Sequence, residues 1–427
     1  MTIVYFKMAV EMCFLGKGFR CLVLFLFILQ LFTPVFSIKR KLNLQEYLCP
    51  PKIQECKDKN ISLVYVSAES ADHDNVVHFV WSGFQGPSII NAYSEKLPEK
   101  HAKPGLNVKW ENLFKNDTEG ALEFTPKVDY ITAFSLSSVL QFADPKDEIY
   151  FTKTGGVIEH NLRSVQWRKV ILDKDNDNAT FVGEFLGGTI SFSCAAADHD
   201  DRDEEPPRPR YSSNSTRFTV NLSHLKTNST DRLALEFVSV VKSEESMPSC
   251  SREFQSIDDE HSPGIFRTVV INNTYATYSS FISWKPVMYT KLDRGLKTQL
   301  PAFNYLYKNG KFEQTKISSK HCFDLTERKT LLPKIILGAM SKDIITYPIR
   351  LSSGQKKDGW YKATQLLSWS GQAGCGQPLF DSISKTLYIT IIAGLGIPAL
   401  IILGGSIYVC VKKYKDRKTA SSYGRIN

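Results

Sequence analysis

The sequence predicts an all-β, sandwich-type ectodomain followed by a single transmembrane helix. Three observations carry that reading: period-two alternation in many short segments, a scarcity of amphipathic helical pattern, and two charge-free apolar stretches near the ends of the 427 residues. An aromatic content of 12% with only six Met also suits sheets better than helical bundles.

The first element is a signal peptide over residues 1–37. A basic region ending at Arg20 leads into the apolar run Cys21 to Phe32, then Thr33, Pro34, Val35, Phe36 and Ser37. Such a run is too short to span a bilayer, and Val35 and Ser37 suit a cleavage site. The second element is the luminal domain, 38–385. Its strand candidates are Ser62 to Val66, Val76 to Trp81, Thr189 to Cys194, Arg217 to Ser223, Leu233 to Val241, Phe266 to Ile271, Tyr275 to Trp284 and Lys334 to Leu337. Ile190, Phe192 and Cys194 share one face, as do Phe218, Val220 and Leu222, which leaves Asn221 on the solvent side. Phe134 to Phe142 is the best candidate for an amphipathic helix. Two packed sub-domains are allowed, with a seam in the polar stretch 198–215.

The third element is a membrane helix over Thr386–Val411, uncharged and containing Gly394, Gly396, Pro398, Gly404 and Gly405. Small residues permit close approach of another helix. The basic flank from Lys412 onward marks the cytoplasmic side and leaves 412–427 as a cytosolic tail. Seven of the nine net positive charges lie in residues 1–37 and 412–427, so the basic balance reflects topology and not a nucleic-acid surface.

Sequons and cysteines both place 38–385 in an oxidising lumen. N-x-S/T occurs at Asn60, Asn116, Asn178, Asn214, Asn221, Asn228 and Asn272. The disulfide candidates are Cys49, Cys56, Cys194, Cys250, Cys322 and Cys375; a short local loop points to Cys49 with Cys56, and the other pairings stay open.

The search for chemistry yields little. Asp173, Asp175, Asp177 and Glu184 have EF-hand spacing, but Asn178 stands where Gly is needed and the flanks read as strand. The acidic run Asp198 to Glu205 reads as a solvated, mobile loop, and neither stretch is assigned a metal. No nucleophile elbow, zinc motif or phosphate loop is present, and no cofactor is expected. Asp258, Asp259 and Glu260, followed by His261, are the residues to inspect for a membrane-anchored luminal hydrolase. In the tail, Tyr423 and Ile426 form a Tyr-x-x-Φ string, an endolysosomal sorting signal for clathrin adaptor complexes.

The segments Gln255 to Arg267 (QSIDDEHSPGIFR), His78 to Gly83, Ser283 to Thr290, Leu366 to Gly371 and Tyr423 to Asn427 resemble the glycosylated lysosomal membrane protein family, in order, from about residue 62 onward. The resemblance implies a non-enzymatic type I protein of the lysosome membrane. It implies an accessory subunit that protects a multi-pass dipeptide transporter of the major facilitator superfamily from luminal proteases. A receptor or adhesion glycoprotein is the alternative reading.

Overall fold

The computed structural model describes residues 39–57, 61–95, 103–115, 121–149, 156–242, 250–255, 264–308, 311–314, 321–322, 344–380, 394–395 and 397–423. The signal segment, Asn60, Asn116, Asp258 to His261, the strand candidate at 334–337, most of 386–396 and Ile426 lie outside these residues. Ser37–Asp381 forms one compact unit, and the C-terminal helix belongs to a second.

The larger unit is an antiparallel sandwich, as the alternation predicts. One layer runs, neighbour by neighbour, through Arg40–Leu48, Ser62–Ser70, Val76–Ser82, Ser88–Ser94, Tyr130–Ala143, Asp231–Lys242, Ile344–Ser353, Gln299–Lys308 and Lys311–Gln314. Val157–Asn161 pairs with the second half of Tyr130–Ala143. The other layer runs through Trp167–Asp173, Asn178–Phe185, Gly188–Ala195, Ser215–Ser223, Leu366–Cys375, Tyr278–Trp284, Arg267–Tyr275, Cys250–Gln255 and His321–Cys322. Val287–Tyr289 pairs with both Leu366–Cys375 and Gln299–Lys308 and so joins the layers. Early and late segments are therefore neighbours in each layer. No division at 198–215 exists, because cutting there would separate Ser215–Ser223 from Gly188–Ala195 and Asp231–Lys242 from Tyr130–Ala143.

The core between the layers is aromatic. Phe134 and Phe237 stack at 4.7 Å, Phe237 meets Trp369 at 4.9 Å, and Phe218 meets Phe134 at 4.9 Å. Gly371 is required beside them, since a Cβ there would lie 2.9 Å from the Phe218 ring. Two polar contacts pin the layers in register: Trp81 Nε1 donates to Thr216 Oγ1 at 3.0 Å, and Asn91 Nδ2 to the Ala373 carbonyl at 2.9 Å.

The first layer is also covered on its outer face. Gly105–Val108, the short helix Trp110–Lys115 and Leu122–Thr125 lay Leu106, Trp110, Leu113 and Leu122 over Tyr65, Val80, Ile90 and Val240. Val76–Ser82 is consequently buried at every position, which is why its sequence is a continuous apolar run broken by a lone His. Double burial also explains the one mistaken helix. Phe134 to Phe142 is strand, and Ser137 is an extra residue where the register against Glu236 and Phe237 shifts. The bulge moves the core-facing apolar spacing from two to three at Leu136 to Val139, which imitates a helical repeat.

The C-terminal helix covers Ile397–Tyr423. It continues through the basic flank that the sequence reading placed outside the span, because Lys and Arg are good helix formers. Among the described residues, no helix is long and apolar enough to cross a membrane.

Candidate functional site

Charged side chains converge most strongly at one end of the first layer. Arg232, at the start of Asp231–Lys242, is 3% exposed and faces three aspartates from two loops. Its Nε donates to Asp144 Oδ2 at 2.7 Å, its Nη1 and Nη2 fork onto Asp358 at 3.2 and 2.8 Å, and Nη2 also reaches Asp147. The carboxylates are further tied to backbone: Asp144 accepts from the Glu148 and Ile149 N–H groups, Asp147 from Gly359, and Asp358 from Gln355 and Trp360. Trp360 closes the ring by donating its indole N–H to the Asp144 carbonyl at 2.8 Å. Both loops are bent tightly, with positive φ at Asp147, Ile149, Lys357 and Trp360. For β-branched Ile149 that conformation is strained, and the ionic network holds it.

The electrostatics follow from geometry. Burial pulls the Arg232 guanidinium toward neutrality, but the hydrogen bonds it donates to Asp358 and Asp144 outweigh it and hold its pKa above the ordinary value. Burial likewise pushes the Asp358 carboxyl up, and the Arg232 bonds with the backbone N–H groups bring it below the usual carboxylate range. The Arg232–Asp358 pair is thereby held in its charged form, and the arrangement is a clamp between the two loops. A cavity of about 100 Å³ adjoins it, lined by Arg232, Ser353, Asp358, Trp360, Tyr361 and Thr364. That is room for a few waters.

A second buried ion pair lies in the same layer. Arg350 Nε donates to Glu236 Oε2 at 2.6 Å across the Glu236–Arg350 register, and the Ser137 and Ser138 hydroxyls donate to the same carboxylate.

His78 sits under the cover, fully buried. Tyr65 Oη lies 2.7 Å from Nδ1 and Ser94 Oγ lies 3.3 Å from Nε2, while Ser94 Oγ donates to the Pro126 carbonyl. That chain of donors assigns the proton to Nε2, with Tyr65 donating to Nδ1. The rings of Tyr65 and Phe124 pack on the imidazole. Burial depresses its pKa to about 3.

The sequons divide by face. Asn178, Asn221 and Asn272 occupy strands of the second layer at positions that alternate with its core-facing residues; each is partly exposed. Asn214 directly precedes Ser215–Ser223, and Asn228 is exposed in the loop that follows it. All five described sequons thus belong to the second layer or its connections. Asn214 Oδ1 also accepts from Arg40 Nε at 2.7 Å, and Arg40 donates to Ala68 O and Asn75 Oδ1. Burial lowers the Arg40 pKa to about 10. A glycan on Asn214 Nδ2 would leave that acceptor oxygen in place.

The remaining site candidates fall as follows. Cys49 and Cys56 are disulfide-bonded, as the short loop suggested. Cys194 and Cys375 are unpaired: both are buried, on strands kept apart by Ser215–Ser223. Asp173 makes a tight turn by accepting from the Asp175 and Asn176 N–H groups, and strands flank it on both sides. The acidic run is not a mobile loop. Asp201–Arg202 pairs with Arg210–Tyr211, Asp200 accepts from the Ser213 N–H and hydroxyl, and Asp203 reaches Arg217 at 3.6 Å. His199 bridges Asp198 at 2.5 Å and Asp201 at 3.4 Å, and the hydrogen bond to Asp198 raises its pKa. Among the described residues, no group of three or more His, Cys, Asp or Glu is arranged to hold a metal ion. Tyr423 ends the C-terminal helix.

Comparison with known proteins adds a family. A model described as glycosylated lysosomal membrane protein matches residues 62–416. Similar proteins include glycosylated lysosomal membrane protein B of Xenopus laevis, 26% identical over 388 residues, covering 84% of this chain and 88% of the relative. The Danio rerio protein is 24% identical, with 90% and 92% covered, and the Homo sapiens protein 23% identical, with 80% and 83% covered.

Proposed function

This chain belongs to the glycosylated lysosomal membrane protein family, and on that premise we propose that it is a non-enzymatic accessory subunit in the lysosome membrane. It protects a multi-pass dipeptide transporter of the major facilitator superfamily from luminal proteases. In this reading residues 38–385 are luminal, Thr386–Val411 crosses the bilayer once, and the tail carries Tyr423 and Ile426 to clathrin adaptor complexes.

The observation that carries the proposal is the glycan-bearing layer. Five described sequons lie in one layer or its connections, in a sandwich that also holds the buried Arg232 and Arg350 ion pairs. Glycans on that layer block proteases, and a disulfide with two buried ion pairs limits the local opening that proteolysis needs.

The test is co-purification from lysosome-enriched membranes in mild detergent, with a C-terminal tag behind a spacer and Tyr423→Ala as the localisation control. A multi-pass transporter recovered near one-to-one, and lost from cells lacking this protein, is the expected result. A protein that runs alone while the transporter persists without it refutes the proposal and favours a receptor or adhesion role.

A further inference from the structure

We propose that Cys250 and Cys322 form a second disulfide, which fastens the edge of the glycan-bearing layer. Cys250 opens the strand Cys250–Gln255, Cys322 closes the two-residue strand His321–Cys322, and the antiparallel register sets them directly opposite each other. Residues directly opposite in an antiparallel pair have Cα atoms about 4.5 to 5.5 Å apart, inside the roughly 4.4–6.8 Å that disulfides require.

The other cysteines leave this pairing. Cys49 and Cys56 are bonded to each other, Cys194 and Cys375 are buried and unpaired, and Cys410 lies in the C-terminal helix of the other unit. Cys13 and Cys21 lie in the predicted signal segment.

The bond has a mechanical purpose. Among the described residues His321–Cys322 is the last strand of its layer, and two residues of pairing contribute little to fixing its register. Between the two cysteines lie Arg267–Tyr275 and Tyr278–Trp284 of the second layer, Val287–Tyr289 at the junction, and Gln299–Lys308 and Lys311–Gln314 of the first. Linking Cys250 to Cys322 closes this excursion into a loop and ties the chain's return from the first layer to the edge of the second. Chemically, two thiols lose two protons and two electrons as the S–S bond forms. The oxidant is a disulfide-bearing thiol oxidoreductase of the secretory lumen, whose own disulfide is reduced to a dithiol.

The experiment is peptide mapping of the full-length protein, denatured and alkylated with iodoacetamide without reductant, then deglycosylated and digested with trypsin. The expected map shows the Cys250 peptide joined to the Cys322 peptide and released by reduction, with Cys194 and Cys375 alkylated. Alkylated Cys250 or Cys322, or a bond from either to Cys194 or Cys375, overturns the proposal. Variants give a second readout. Cys250→Ser, Cys322→Ser and the double variant should lower the thermal midpoint equally. A double variant that melts clearly below both single ones shows that the two residues act independently, and overturns it as well.

Discussion

Replacing His78 by Gln should make the protein less sensitive to acid. The imidazole is buried between Tyr65 and Phe124 with its pKa depressed to about 3, whereas an unfolded chain titrates it near 6.5. The sign follows. Above pH 6.5 both states are neutral and the residue adds no pH dependence. Below it the unfolded chain takes up a proton that the folded chain refuses, so stability falls between pH 6.5 and about 3. At pH 5 the loss is about 1.5 pH units at 1.36 kcal/mol each, or about 2 kcal/mol. The assay is equilibrium urea unfolding of the detergent-solubilised protein at pH 7.5 and 5.0, followed by the fluorescence of the buried Trp81 and Trp369. Gln keeps one donor and one acceptor for Ser94 and Tyr65 and does not titrate. The wild type should lose about 2 kcal/mol more than His78→Gln between the two pH values. Equal losses would refute the assignment of a neutral, proton-refusing His78.

Three further outcomes follow from the same packing. Arg232→Met leaves Asp144, Asp147 and Asp358 without their cation and should cost about 3–5 kcal/mol, and Arg232→Lys should not restore it, because an ammonium cannot fork onto Asp358 while reaching Asp144; urea midpoints measure both. Trp369→Ala should cost about 3–5 kcal/mol by opening the aromatic core. Trp369→Phe should cost less than half of that, since the indole N–H has no partner to lose, and the two variants are compared by thermal melting. Asn221→Gln should remove one glycan step on a gel and shift stability by under about 0.5 kcal/mol, because that side chain faces away from the core.

Several strands were legible where one face meets the core and the other meets water, although Arg40–Leu48 and Trp167–Asp173 were not among those read. Ile190, Phe192 and Cys194, and Phe218, Val220 and Leu222, all lie where alternation places them. Where both faces are covered, alternation is no guide. The run Val76 to Trp81 lacks it and still reads as a strand, whereas Phe134 to Phe142 imitates a helix through its bulge at Ser137. The short Cys49–Cys56 loop could be read because its closure is local. The Arg232 clamp could not. Its members come from Asp144, Asp147, Arg232 and Asp358, which no spacing rule connects until the sandwich closes. The His78 site likewise depends on a cover whose contact with the sheet is visible only in three dimensions.

Both buried centres lose stability on acidification, but over different pH ranges, and this bears on how the protein survives where it is proposed to act. Asp358 has its carboxyl held below the usual range, so the stability it contributes is present above the unfolded value near 3.9 and is lost only as pH falls through the lower folded value. At pH 5 the Asp358–Arg232 pair is therefore intact, while His78 has already removed about 2 kcal/mol. A typical domain has about 5–15 kcal/mol in total, so that loss is a substantial fraction. Keeping His78 in the interior makes the protein weaker in an acidic lumen than at neutral pH. Resistance to proteolysis there must then come from contributions that do not titrate, such as the Cys49–Cys56 bond and the aromatic core, together with the glycans proposed for the second layer. Removing one of these should be tolerated at pH 7.5 and exposed at pH 5. Cys49→Ser, compared with Cys49→Ser/His78→Gln for cleavage by a broad-specificity protease active at both pH values, should gain more in cleavage rate between pH 7.5 and pH 5, because only the first protein carries the acid penalty of His78. An equal gain in the two proteins would mean that His78 does not limit opening of the unit.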